Sequence, residues 1–163
     1  MTNTGSSLLR LARDQARAWW SRRDNDQRWL TTLATVLMAS GLFHVIVWVI
    51  SGDAWAGPVS WRKPIVFGLS GGITTLSLAW GVGLLPSTTG RRVLTRLYAI
   101  TMALEVGLIT MQRWRGVGSH FNNSTVFDIV VFSAMGILIM ASSVSIVVWM
   151  IAVCRLATLR ADI

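Results

Sequence analysis

Residues 30–50 read LTTLATVLMASGLFHVIVWVI, and this stretch decides the fold. A helix needs roughly 20 predominantly apolar residues to cross the hydrocarbon core of a bilayer, which is about 30 Å thick. This run is long enough, and three more follow at about Ile65 to Leu85, Leu97 to Met111 and Val126 to Cys154. The third is short and must include residues beyond its ends to cross. The sequence therefore predicts an all-α, integral membrane four-helix bundle.

The composition favours the same class of protein. Of the 163 residues, 53% are hydrophobic and 13% are charged, whereas a soluble domain carries roughly a quarter charged residues. The single cysteine, Cys154, excludes an intrachain disulfide and argues against a metal site built from thiolates, and no metal site is predicted. The chain divides into a basic leader of residues 1–28, a four-span domain of residues 29–154 and a tail of residues 155–163.

The basic residues predict how the chain lies in the membrane. Of the 15 lysines and arginines, all but Arg62, Lys63, Arg113 and Arg115 fall before the first span, between the second and third spans, or after the fourth. Lysine and arginine are enriched in cytoplasmic loops, so both termini are predicted to be cytoplasmic. The formal net charge of +8 follows mostly from this topology, and no nucleic acid partner is predicted.

The leader has helical periodicity in residues 7–23, SLLRLARDQARAWWSRR. The residues that share one side of the predicted helix are Leu8, Leu11, Ala12, Gln15 and Trp19. The arginines fall on a different side, which is the pattern of an amphipathic helix on a lipid surface. The prediction is a cytoplasmic amphipathic helix lying on the bilayer, and the alternative is a solvated basic tail that only enforces topology.

Four basic residues break the charge bias at the opposite, outer face. In the first outer connector, Trp61-Arg62-Lys63-Pro64 begins the second span, with Pro64 in a first turn that tolerates its missing N–H. Cations at a helix N-terminus face the positive end of the helix dipole, which is mildly unfavourable. We therefore expect Arg62 or Lys63 to meet an acidic side chain or a bound anion. The alternative is an interfacial anchor of tryptophan and snorkelling cations.

The second outer connector, residues 112–128, reads QRWRGVGSHFNNSTVFD. Thr125 and Asp128 have the spacing of a capping box for the fourth span, so Asp128 could serve only to satisfy backbone donors. That interpretation leaves a glutamine, two arginines, a histidine and an asparagine unexplained within one short loop. The concentration of polar side chains favours a functional role for the loop.

Two strongly polar residues lie well inside the predicted spans, His44 and Glu105. At 1.5 Å per residue, His44 lies about 9 Å and Glu105 about 12 Å below the outer ends of their helices, and Ser70 lies at a similar depth. Ionisable residues inside a membrane are costly and commonly face a cavity or a partner. The alternative is a pair between Glu105 and Arg115 or His44 that only fastens helices together.

Together these residues predict one polar pocket that opens outward between the four helices. Its predicted ligand-binding residues are His44, Trp61, Arg62, Lys63, Ser70, Glu105, Gln112, Arg115, Ser119, His120, Asn122 and Asp128. The second span also carries Gly68 and Gly72, whose small size allows another helix to approach closely. That approach could lie within the bundle or join two copies in a homo-oligomer.

Two motifs resemble the signatures of a group of uncharacterised bacterial four-span integral membrane proteins. One is Trp61-Arg62-Lys63-Pro64 followed by Phe67 and Ser70, and the other is Glu105, Gln112 and Arg115-Gly116-x-x-Ser119-His120-Phe121-Asn122. The similarity covers about Trp29 to Cys154 and not the leader. It implies a multi-pass protein of the bacterial cytoplasmic (inner) membrane, which the arginine-rich composition also suits, and it brings no activity with it.

Three classes of function follow from this reading. The first is a binding or transport protein for a small polar or anionic molecule, which uses the cationic rim and the buried Glu105. The second is a membrane enzyme in which His120 or Glu105 acts as acid or base and Arg115 steadies an anion. The third is a haem or quinone redox protein with His44 and His120 as possible ligands, although His120 lies too near the surface to share a haem with His44. No cofactor is predicted outright.

Overall fold

Four long helices make up most of the described chain and alternate in direction. A computed structural model of the protein describes residues 13, 14, 17 and 20–161, with side chains up to residue 158. The helices are α1 (Asn25–Ser51), α2 (Arg62–Val82), α3 (Thr89–Trp114) and α4 (Val126–Ala161), and each is long and apolar enough to span a membrane. The predicted all-α four-span bundle is confirmed. Of the predicted leader helix, Arg13, Asp14, Arg17 and Trp20 are helical. Its other predicted residues, Leu8, Leu11, Ala12, Gln15 and Trp19, lie outside the described residues.

Local sequence signals set the ends of the helices. Before α1, the side chain of Asp24 accepts a hydrogen bond from the Gln27 N–H while the Gln27 side chain accepts from the Asp24 N–H, which forms a capping box. Gly52 ends α1 in the left-handed conformation at φ 66°, which a glycine adopts without strain. Thr88 caps α3 in the same way as Asp24 caps α1, by accepting a hydrogen bond from a first-turn N–H. The third span is consequently longer than its apolar run.

A glycine seam joins α1 to α2 at close range. A Cβ atom added to Gly68 would lie 2.9 Å from the Cα of Gly41 and 2.9 Å from the carbonyl oxygen of Leu37, so only glycine fits. A Cβ on Gly72 would lie 3.0 Å from the carbonyl oxygen of Ala34. The close approach predicted for Gly68 and Gly72 therefore lies within the bundle. α1 occupies the face that these glycines share, and the homo-oligomer stays a prediction.

Buried hydroxyl groups join α3 to its neighbours in the interior of the bundle. The hydroxyl groups of Thr75 and Tyr98 are 3.0 Å apart between α2 and α3, and those of Thr101 and Ser142 are 2.7 Å apart between α3 and α4. Such contacts stabilise helix packing in lipid by satisfying polar groups that water cannot reach. α3 is therefore the helix through which the first hairpin, α1–α2, is joined to α4.

The outward surface of the bundle is strongly apolar. On α1 alone, Val36, Leu42, Ile46 and Val49 are each more than half exposed. Soluble monomers rarely expose contiguous apolar surface of this kind, so these faces fit contact with lipid chains. The described part of the chain contains no strand.

The start of α1 and the end of α4 lie at one end of the bundle, which we name the inner end after the predicted orientation, and Arg91 fastens it. The Arg91 guanidinium donates to Asp26 at 2.9 Å and to Asp24 at 2.6 Å. It also donates to the backbone carbonyls of Val82 at 3.3 Å and Leu85 at 2.8 Å. One buried arginine thus ties together the start of α1, the end of α2 and the start of α3.

Candidate functional site

The predicted site residues fall into separate groups at the outer end of the bundle rather than around one cavity between four helices. We name three of them the Asp128 cluster (Gln112, Arg115, Asp128), the His44 cluster (His44, Trp61, Trp114) and the outer pocket (Arg62, Lys63, His120 and their apolar neighbours). Ser70 and Glu105 belong to none of these groups.

In the Asp128 cluster, the carboxylate, the amide and the guanidinium each have a hydrogen-bond partner within the cluster. One carboxylate oxygen of Asp128 accepts hydrogen bonds from Gln112 at 3.0 Å and Arg115 at 2.8 Å, and the other accepts from the Thr125 hydroxyl at 2.7 Å. Arg115 also donates to the side-chain oxygen of Gln112, and its guanidinium lies 4.5 Å from the centre of the Phe127 ring. Because the Asp128 charge is matched by Arg115, this cluster fastens α3 to α4.

The same contacts confirm one half of the predicted capping box of α4, the bond to the Thr125 side chain. The Asp128 N–H donates to the Thr125 hydroxyl oxygen at 3.1 Å, as the capping spacing requires. Asp128 therefore has two roles. Its backbone N–H is satisfied by the Thr125 side chain, and its carboxylate binds Gln112 and Arg115.

The His44 cluster is aromatic, and both ring nitrogens of the histidine are engaged. Nδ1 lies 2.7 Å from the backbone carbonyl oxygen of Ser40, and Trp114 Nε1 donates to Nε2 at 3.1 Å. Since a carbonyl can only accept and an indole N–H can only donate, these contacts fit a His44 ring whose Nδ1 donates and whose Nε2 accepts. Trp61 stacks on it with ring centres 5.6 Å apart. This arrangement leaves no ring nitrogen of His44 open to a metal or a substrate.

Asp53 connects the first outer connector to the end of α3. Its carboxylate accepts a hydrogen bond from Trp61 Nε1 at 2.8 Å and forms an ion pair with Arg113. The Arg113 guanidinium also lies 4.0 Å from the centre of the Trp61 ring, within cation–π range. Asp53 therefore neutralises Arg113, and not Arg62.

The outer pocket is the group in which cations lie beside an open cavity. The cavity has a volume of about 640 Å³ and is lined by Pro58, Arg62, Lys63, Val66, Phe67, His120 and Phe121. Lys63 makes one hydrogen bond, of 3.5 Å, to the backbone carbonyl of Pro58. Within residues 20–158, neither Arg62 nor Lys63 has a carboxylate partner. The two outer connectors thus meet here and leave two positive charges unmatched.

The position of His120 in this pocket lowers the pKa of its imidazole. Burial and the neighbouring Lys63 ammonium hold the pKa of His120 below its usual value, which is about 6.5. The folded protein thus keeps the imidazole neutral in a pH range where the unfolded chain would protonate it. Its contribution to stability is present above about pH 6.5 and is lost as the pH falls through that range.

Ser119 and Asn122 shape the loop that carries His120. The Ser119 hydroxyl lies 2.9 Å from His120 Nδ1, and Ser119 is 3% exposed. The Asn122 side chain donates to the Gly118 carbonyl at 3.1 Å and accepts from the Ser124 N–H at 3.1 Å. These bonds position the loop and leave the Asn122 amide engaged with its own backbone.

Glu105 and Ser70 do not form the predicted floor. The Ser70 hydroxyl donates to the Val66 carbonyl one turn earlier, on the exposed side of α2. Glu105 is 2% exposed, and its Oε2 has no hydrogen-bond partner in the described part of the chain. The predicted pair with Arg115 or His44 is wrong, because Asp128 takes the arginine and Trp114 takes the histidine.

The sequence reasoning missed Arg91 and Trp114 as organising residues. In the sequence, Arg91 is one of the basic residues that indicate the topology, yet in the structure it is buried and bound to two aspartates. Asp24 and Asp26, two carboxylates in an otherwise arginine-rich segment before the first span, were the signal that an arginine would be needed there. For Trp114 the sequence offered no signal beyond its position between two arginines.

Comparison of the chain with protein-family models, with curated proteins and with solved structures found no match. The resemblance to bacterial four-span membrane proteins therefore stays a prediction.

Proposed function

We propose that the protein binds an anionic amphiphile, a molecule with a negatively charged headgroup and an apolar tail, in the outer pocket. One observation carries the proposal. Arg113 and Arg115 each have a carboxylate partner, whereas Arg62 and Lys63 have none within the described residues. Adjacent unmatched cations repel each other, and a bound phosphate or carboxylate relieves this repulsion through charge-assisted hydrogen bonds.

The apolar wall of the pocket supports an amphiphile over a fully polar ligand. Val66 and Phe121 are 45% and 82% exposed, and with Phe67 they continue the pocket toward the lipid-facing side of α2. The lining comes from α2 and the two outer connectors alone. A pocket at the rim of the bundle favours binding over transport, because the residues that line it trace no path between the helices.

The enzyme and redox alternatives receive less support. An enzyme in which His120 or Glu105 acts as acid or base needs Arg115 to steady an anion, yet Arg115 is already paired with Asp128. A haem would need an axial nitrogen, and both nitrogens of His44 already have partners. We do not propose either activity.

We also propose that the protein lies in a bacterial inner membrane with its outer pocket facing away from the cytoplasm, because eleven of the 15 basic residues lie in the leader, near the start of α3 or in the tail. The native Cys154, near the inner end and exposed, provides the test. An impermeant maleimide is expected to label Cys154 only after intact cells are permeabilised. Labelling at full rate before permeabilisation would show that the orientation is the reverse of the one proposed.

The binding proposal has a local test, because the chain has only two histidines. We expect 14-carbon lysophosphatidylglycerol, added to histidine-labelled protein in uncharged detergent, to shift the NMR signals of His120 saturably and to leave those of His44 in place. Lysophosphatidylcholine, which has no net charge, is expected to have no such effect. Exchanging both pocket cations, Arg62→Gln with Lys63→Gln, should weaken the response at least about tenfold, since charged hydrogen bonds contribute roughly 1.5–3 kcal/mol each.

The pH dependence of the same titration sharpens the test. A bound anion favours imidazolium, so lysophosphatidylglycerol is expected to raise the pKa of His120 from its lowered value. By linkage, binding then tightens as the pH falls through that range, by about tenfold for each unit of pKa change. Arg92→Gln with Arg96→Gln, an equal loss of charge on two exposed residues at the other end of α3, is the control and should change nothing. Equal responses to both lipids would reject the proposal, and saturation by glycerol 3-phosphate at the same concentration would show that the tail is irrelevant.

A further inference from the structure

A second cavity lies at the inner end, between the start of α3 and the last turns of α4. Its volume is about 570 Å³. At its mouth are Thr88, Gly90 and Arg155, and farther along α3 and α4 its walls are apolar, with Leu94 and Ile151 on opposite sides. It shares no residue with the outer pocket. We name it the inner groove.

The mouth of the inner groove is suited to a negative charge. Arg155 is exposed and has no ion-pair partner within the described residues. The Thr88 cap engages only the Arg91 N–H of the first turn of α3, and helix N-terminal N–H groups favour anions. Gly90 leaves this turn open, because a Cβ there would meet no atom closer than 4.0 Å.

A buried donor lines the groove and lacks an acceptor. Trp149 is 3% exposed, and its indole Nε1 has no hydrogen-bond partner in the described part of the chain. Tryptophan N–H groups normally find a partner when they are buried. Trp149 precedes Arg155 by six residues, about 9 Å along α4. An acceptor that reaches Trp149 therefore lies deeper in the membrane than a group held by Arg155.

We propose that the inner groove binds an anionic phospholipid of the surrounding leaflet. The phosphate lies between Arg155 and the first turn of α3, and one acyl chain lies along Leu94 and Ile151. An ester carbonyl accepts the Trp149 N–H after a small rotation of the indole. A phospholipid fits because its parts come in the same order as the groups of the groove. Its phosphate meets Arg155, its ester carbonyl meets Trp149, and its acyl chain meets the apolar walls. The site does not depend on the outer pocket.

The single cysteine provides a probe beside the groove. Cys154 is exposed and directly precedes Arg155, so a bimane fluorophore attached to it reports the lipids that occupy the mouth. The labelled protein is placed in phosphatidylcholine vesicles that contain brominated phosphatidylglycerol or brominated phosphatidylcholine, whose bromines quench nearby bimane. We expect phosphatidylglycerol to be preferred roughly fivefold, as about 1 kcal/mol from one arginine at a membrane surface implies.

The variants decide between a site and general attraction to a basic surface. Arg155→Gln is expected to bring the preference close to one, and Trp149→Phe to reduce quenching by both brominated lipids. Arg92→Gln, an equal loss of charge on a neighbouring residue that does not line the groove, should retain the preference. So that the probe itself is controlled, bimane on Val36→Cys in a Cys154→Ser background should show no preference. Equal quenching by the two lipids in the unaltered chain, or a preference that survives Arg155→Gln, would overturn the proposal.

Discussion

Replacing Gly68 by valine is expected to abolish the folded bundle, and replacing it by alanine to lower the free energy of unfolding by about 1–3 kcal/mol. The atoms that a new methyl group would meet, 2.9 Å away, belong to the backbone of Gly41 and Leu37. Backbone atoms cannot rotate aside as a side chain can, so α1 and α2 must separate along the glycine seam. Reversible unfolding of the purified protein in mixed micelles measures the loss.

Glycines that face open space provide the matched control. A Cβ on Gly107 in α3 or on Gly136 in α4 would have no atom within 4 Å. Because glycine is a poor helix former, alanine at either position should raise stability by up to about 1 kcal/mol. Opposite signs for Gly68→Ala and Gly107→Ala are therefore expected. If both substitutions prove harmless, α1 and α2 do not touch at Gly68.

Replacing Arg91 by methionine is expected to cost about 3–5 kcal/mol of unfolding free energy. The side chains of Arg91 and Asp26 are 5% and 9% exposed, so the substitution leaves a nearly buried carboxylate without its cation. It also removes the donors to the Val82 and Leu85 carbonyls. Lysine at this position should recover only part of the loss, because its single ammonium cannot reproduce the forked geometry.

A double substitution separates the charge from the packing. The double variant Asp26→Asn with Arg91→Met should lose less unfolding free energy than the two single variants lose in total. The reason is that Asp26→Asn removes the charge that Arg91→Met leaves unpaired. The exposed Arg96 provides the comparison, and Arg96→Gln should change stability by less than about 0.5 kcal/mol. A loss from Arg91→Met no greater than that from Arg96→Gln would show that Arg91 is not a fastening residue.

The fold could be predicted from sequence because membrane spans depend on a local property. An apolar run long enough to cross the hydrocarbon core must form a helix, since its backbone groups have no other partners. The caps at Thr125 and Asp128 are equally local. Gly68 and Gly72 indicated a close helix contact, but Gly41 and Leu37, which complete it, carry no comparable signal and lie about thirty residues away in the sequence.

The site was harder to predict because ion pairs are decided by competition between distant residues. Four cations and two aspartates could be assigned to the outer end, and the sequence alone did not decide which cation each aspartate pairs with. The fold places Arg113 against Asp53 and Arg115 against Asp128 instead. An ionisable residue inside a span, such as Glu105, is expected to have a polar partner. Both expected partners are engaged elsewhere, because Arg115 pairs with Asp128 and His44 accepts from Trp114.

The glycine seam also has a consequence for the order in which the chain is synthesised. Every residue that forms it lies between Ala34 and Gly72, so a nascent chain that has emerged as far as the end of α2 already contains the whole contact. The basic partners of Asp24, Asp26 and Asp53 belong to α3 and come later. At that stage the first hairpin holds every residue of its glycine seam, whereas three of its carboxylates still lack the arginines that pair with them.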